Sequence, residues 1–139
     1  MSKFDELADA ARQKLEALEN GEKQAEIEKF ERRKAENTMR LQEIFEKSVS
    51  KEALEELHPT YICDAIGKGA IKLHVKETRF EIEINLDHYR ENTNSIYVTT
   101  AGKEKRHIGT AYFKDSGKFE ARLLTTLKSY LDNPSGHFA

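Results

Sequence analysis

The stretch "IKLHVKETRFEIEI", Ile71–Ile84, decides how this chain folds. Ile71, Leu73 and Val75 alternate with Lys72, His74 and Lys76; Phe80, Ile82 and Ile84 then alternate with Arg79, Glu81 and Glu83. A period of two places each apolar set on one side of a pleated strand. Folding the segment about Glu77-Thr78 predicts a hairpin that sets Val75 opposite Phe80, Leu73 opposite Ile82 and Ile71 opposite Ile84. The same register sets Lys72 beside Glu83 and His74 beside Glu81. Apolar then meets apolar and cation meets anion at once, which is mutual support between two independent patterns. Glu-Thr is not a favoured two-residue turn, and a four-residue loop about the same centre keeps the pairing.

Downstream, "LDHYRENTNS" (86–95) is loop by composition. Ser95–Ala101 and Arg106–Phe113 predict a second hairpin with "GKEK" at its tip. Asp115-Ser116-Gly117 separates it from an amphipathic helix over 118–132, with Phe119, Leu123, Leu127, Tyr130 and Leu131 on one face. "NPSGHFA" reads as a frayed tail. The expectation is a four-stranded, mainly antiparallel sheet packed on one face by the last helix.

Upstream, the first 58 residues read as helix. Ser2 can cap the first turn, where Asp5 and Glu6 suit the positive helix end. Phe4, Ala8, Ala11, Leu15 and Leu18 make one apolar stripe. "ENGEK" (19–23) predicts a break at Asn20-Gly21, as a helix end or a helix hairpin. A second helix follows from about Glu22 to Lys47, with Ile27, Phe30, Met39, Leu41, Ile44 and Phe45 as its apolar positions and "ERRKAENT" (31–38) nearly empty of them. A short third helix, "SKEALEEL" (50–57), is capped by Ser50 and stopped by His58-Pro59. The fold class is thus α+β: a helical arm over 1–58, open to hairpin or coiled-coil pairing, and a small ββββα domain over 59–139. A 26-residue helix is about 39 Å long, longer than a small sheet is wide, so part of the arm is expected to overhang.

Composition changes at the same boundary. Of 139 residues, 35% are charged and 37% hydrophobic, with a formal net charge of −2. Residues 1–58 carry 11 Lys/Arg against 15 Asp/Glu; residues 59–139 carry 12 against 10, and six of the seven glycines. Such a balance argues against a dedicated polyanion binder and equally against an acidic nucleic-acid mimic. No run of about 18 apolar residues exists to span a membrane. The start "MSKFDELADA" lacks the layout of a secretory signal. One cysteine, Cys63, cannot form an internal disulfide and fits a reducing compartment. The expectation is a cytoplasmic protein.

Each motif with chemical potential has a simpler reading. None of His58, His74, His88, His107 and His137 stands at a spacing that puts two imidazoles on one metal. His74 with Glu81 and Glu83 reads as a solvated cross-strand ion pair. Asp87, His88, Tyr89, Arg90 and Glu91 gather in the loop 86–91, where catalytic groups often lie, and make the best enzyme alternative, a small hydrolase using His74 or His107. Cys63 has apolar neighbours and Asp64, which raise rather than lower a thiol pKa. "AIGKGA" (65–70) lacks the earlier glycine and the following Ser or Thr of a phosphate loop, so its glycines are assigned to a turn.

The residues therefore assign no catalytic group, metal ligand or cofactor. They point to a non-enzymatic interaction module, an accessory factor or inhibitor of a larger protein or nucleoprotein machine, of the sort phages and mobile elements also encode. A protein partner or a second copy would be held through Ile27, Phe30, Arg32, Arg33, Lys34, Met39 and Arg40 of the arm. The alternative is a nucleic-acid-binding module that uses Lys68, Lys72, Lys76, Arg79, Lys103, Lys105, Arg106 and His107 at the hairpin tips, with Tyr97, Tyr112 and Phe113 as stacking faces.

Overall fold

A computed structural model describes residues 2–65, 67–90, 94–99 and 104–134. The elements are α1 (Lys3–Ser48), α2 (Lys51–Leu57), β1 (Thr60–Ala65), β2 (Lys68–Val75), β3 (Thr78–Asn85), β4 (Asn94–Thr99), β5 (Arg106–Ala111) and α3 (Ser116–Asp132). The class is α+β, and the sheet is antiparallel throughout in the order β1-β2-β3-β4-β5. It has five strands rather than four: β1 was hidden in "TYICDA", where Tyr61, Ile62 and Cys63 follow one another and blur any alternation. The chain divides into two compact units, Met1–Arg33 and Lys34–Ala139.

The larger unit is built on one face of the sheet. Ile71 and Leu73 of β2, Phe80, Ile82 and Ile84 of β3, and Ile96 and Val98 of β4 are all buried, as the period of two requires. Against them pack Leu41 and Phe45 from the end of α1, Ala53 and Leu57 from α2, and Phe119, Leu123, Leu127 and Tyr130 from α3. Aromatic edges tie these layers together: Phe45 meets Phe119 at 6.3 Å and Phe80 meets Tyr130 at 5.6 Å. Two glycines let the helices approach. A Cβ on Gly69 would stand 2.9 Å from Leu41 Cδ2, and one on Gly109 would stand 2.8 Å from Thr126 Cγ2.

The first hairpin forms two residues out of the expected register. Ile71 faces Ile82, Leu73 faces Phe80 and Val75 faces Thr78, about a two-residue turn at Lys76-Glu77. Lys76 takes φ +57, the left-handed backbone that tight hairpin loops use. A shift of two keeps every side chain on its face but changes its partner. Lys72 lies opposite Glu81 rather than Glu83, and His74 opposite Arg79 rather than Glu81.

Helix α2 follows its sequence signals: Ser50 Oγ accepts from Ala53 N, and His58 closes the helix at φ 44. Ser50 also donates from N and Oγ to Glu120 Oε1, at 3.1 and 2.6 Å, fastening α2 to α3. Those two bonds hold the Glu120 carboxyl below its ordinary range. Gly67, at φ +78, turns the chain from β1 into β2, the role assigned to its motif. The frayed-tail expectation falls mostly on 135–139, outside the described residues.

The expected break at 19–23 is absent: α1 runs without interruption from Lys3 to Ser48. A glycine in a helix interior costs about 1 kcal/mol relative to alanine, and the Glu, Lys, Gln and Ala around Gly21 are strong enough helix formers to absorb it. Nothing lies within 4 Å of the place a Gly21 Cβ would occupy.

Candidate interaction surfaces

Every side chain from Ser2 to Arg33 is exposed. The helix is started by Ser2, whose Oγ accepts from Asp5 N at 3.2 Å. Among its exposed residues are Phe4 at 75%, Leu7 at 61%, Leu15 at 56% and Leu18 at 57%. At about 100° per residue, Phe4, Leu7, Ala8, Ala11, Leu15 and Leu18 fall on one side, and Asp5, Glu6, Asp9, Gln13 and Glu16 on the other. The spacing of Phe4, Leu7, Ala11, Leu15 and Leu18 reads the same from both ends, with Ala11 at its centre. Ile27 and Phe30 lie roughly 120° round from this stripe and form a separate shallow patch with Lys23, Glu26 and Glu31.

The arm residues assigned to partner binding divide between the two units. Ile27, Phe30, Arg32 and Arg33 are exposed in the first; Lys34 is half-buried in the second, where Met39 and Arg40 are exposed.

The second surface is the sheet face away from the core. Register places Thr60, Lys72, Glu81, Tyr97 and His107 in one row across the five strands. Lys105 donates to both Glu81 and Glu83, and its ammonium lies 4.6 Å from the centre of the Tyr97 ring. Burial opposes its charge, but the hydrogen bonds to the two carboxylates outweigh it and hold the lysine above its ordinary range. His107 meets the same tyrosine edge-on at 5.6 Å. Lys68, Lys72, Lys76, Arg79 and Arg106 are exposed. Lys103 lies outside the described residues. The face carries both signs of charge, interleaved.

The loop after β3 is not brought to the other histidines. An Asx turn starts it, with Asp87 N donating to Asn85 Oδ1 at 3.0 Å. His74 lies level with Arg79, six residues before Asn85 along β3, roughly 20 Å away at strand rise. His107 lies level with Glu81, roughly 13 Å away by the same measure. Glu91 and His137 lie outside the described residues. Among the described residues no three His, Cys, Asp or Glu side chains gather where a metal could be held. No helix among them is long and apolar enough to cross a membrane.

No known protein family matches the chain, and no curated protein or solved structure is similar to it beyond chance.

A third surface was not anticipated as a site. Tyr89 of the same loop is half-buried, with Arg40 of α1 and Arg90 both near its ring, at 5.9 and 5.4 Å. These residues border an open groove of about 590 Å³, to which Lys47 and Lys114 also contribute. Its residues come from three separate parts of the sequence, so no local motif could have announced it.

Proposed function

We propose that this chain is a non-enzymatic interaction protein that pairs with a second copy through the first turns of α1. The observation that supports this reading is the exposed stripe of Phe4, Leu7, Ala11, Leu15 and Leu18 with its mirror-symmetric spacing. Antiparallel pairing about Ala11 sets Phe4 against Leu18 of the second copy, Leu7 against Leu15 and Ala11 against itself. One two-fold contact therefore buries all five exposed apolar positions together, as an isologous dimer does. A membrane is a poorer occupant, because the opposite side of the helix is mainly acidic and anionic lipids would repel it.

The dimer then carries two copies of the α+β unit to a larger protein or nucleoprotein assembly, as an accessory factor or inhibitor. A cytoplasmic setting belongs to the same proposal and rests on the lone buried thiol of Cys63. This reading is preferred to a hydrolase at 86–91, whose histidine partners stand too far along the sheet. It is also preferred to nucleic-acid binding at the hairpin tips, where Lys105 is already engaged by two carboxylates.

A contact of this size is below the standard interface class, so the affinity should be modest, on the order of micromolar. Light scattering over a concentration series should show the mass rising from 16.0 kDa toward twice that value. Leu15→Glu with Leu18→Glu, both good helix formers on an exposed face, should return the monomer and leave the far-UV circular dichroism unchanged. A mass that stays at one chain at the highest attainable concentration would refute the pairing.

A further inference from the structure

We infer that the groove beside Tyr89 is a binding site for single-stranded nucleic acid, held by its phosphates. The site lies on the Lys34–Ala139 unit and is independent of the proposed dimer contact. Its foundation is one tyrosine with two guanidiniums. Arg90 Nε donates to Tyr89 Oη at 2.9 Å, while Arg40 reaches the ring from α1. Two like charges gathered at one ring repel each other, and an anion between them relieves that repulsion. Arginine forks match phosphate oxygens in both geometry and charge.

The anchor is fixed. Asn94, fully buried, donates from Nδ2 to Tyr89 O at 3.1 Å. Phe113 meets the tyrosine ring edge-on at 6.1 Å and stacks at 4.0 Å on Phe119 of the core. The loop thus presents Tyr89 and Arg90 from a supported position, which lowers the ordering cost of binding.

The charge continues past one phosphate. Lys114 borders this groove and a second one of about 320 Å³, to which Lys118 and Arg122, one helical turn apart on α3, also contribute. Together the two grooves set six cations against two carboxylates, Glu43 and Asp115. Among the described residues none of the six cations is in a salt bridge. This is the concentration of one sign that the sheet face lacks. A single phosphate needs two or three donors; a tract of six fits successive phosphates of a strand. Tyr89 and Tyr112 stand among the cations, the latter with Lys114 Nζ at 5.9 Å from its ring. Aromatic rings set along a basic groove are how sequence-tolerant single-strand binders hold bases.

The test is fluorescence anisotropy with the full chain and four labelled probes: a 12-nucleotide oligothymidylate, an oligouridylate of the same length, a 12-base-pair duplex and an oligoglutamate peptide of matched charge. The single strands should bind most tightly, and with four to six phosphates contacted, log K should fall with log salt at a slope of about −3 to −4. Arg90→Ala and Lys114→Ala should each weaken binding roughly tenfold and flatten the slope. Tyr89→Leu should weaken it about fivefold or more with the slope kept. Lys72→Ala and Arg79→Ala, on the sheet face, should change nothing. No binding at about 50 mM salt would overturn the inference, as would equal losses from the sheet-face variants. Preference for the duplex would overturn the single-strand assignment, and preference for oligoglutamate would assign the groove to an acidic protein surface instead.

Discussion

Tyr61 buries its hydroxyl with no hydrogen-bond partner among the described residues. Burial first, and the charge of Glu46 second, push its pKa up to about 12. A phenol with a raised folded pKa holds its proton more tightly folded than unfolded. Its contribution to stability is therefore complete below its ordinary value near 10 and disappears as pH climbs through about 12. Chemical denaturation between pH 9 and 12, on the order of the range set by reference values, should show an alkaline decline that Tyr61→Phe makes shallower. At neutral pH the same variant should be unchanged or up to about 1 kcal/mol more stable, since it removes an unsatisfied buried polar atom. Much at this scale could be read from the sequence. Cys63 is 2% exposed, in keeping with its apolar sequence neighbours, and Ser50 caps α2 as its place before "KEALEEL" implies. Tyr61 could not be read, because an unpartnered hydroxyl depends on what α1 places above β1.

Gly109 of β5 lies under Thr126 of α3, and a β-branched residue in a helix has little rotamer freedom with which to yield. Gly109→Ala should cost about 1–3 kcal/mol in thermal or denaturant unfolding. Adding Thr126→Ser, which removes the obstructing methyl, should recover most of that loss, and the double-mutant cycle should show strong coupling. An additive result would mean that the glycine serves backbone freedom and not helix approach. Elements with clean periodicity were legible: β2, β3 and α3 lie close to where alternation and the Phe119–Leu123–Leu127 spacing put them. The missed elements share a physical cause. In β1, successive apolar residues and a register shift between Ile62 and Ala65 erase the period of two. In α1, local propensity outweighed a single glycine. In the first hairpin, alternation fixed the faces but not the register, since a slip of two preserves every inside-outside assignment. The turn decided it, through a left-handed Lys76 that no residue preference announces.

At the scale of the molecule, charge and exposure separate two kinds of surface that composition alone merges. A net charge of −2 describes neither the acidic side of the first helix nor the cationic tract around Lys114. Along the sequence Lys and Arg are densest at the hairpin tips, which is why nucleic-acid contacts are expected there in one dimension. In three dimensions Glu81 and Glu83 neutralise Lys105, while Arg40, Arg90 and Lys114 converge from positions far apart in the chain. The helical stripe, by contrast, is local: Phe4, Ala11, Leu15 and Leu18 are legible in the sequence, and with Leu7 their spacing is symmetric about Ala11.

The pairing of that stripe is tested most directly by cross-linking. Native Cys63 is buried and should not compete, so a cysteine introduced at position 11 reports on the seam alone. A short bis-maleimide spanning the roughly 8–10 Å between packed helices should convert Ala11→Cys rapidly to a covalent dimer and leave Asp9→Cys, on the opposite side, mostly monomeric. Equal and slow reaction at both positions, or a faster one at Asp9→Cys, would contradict the antiparallel pair centred on Ala11.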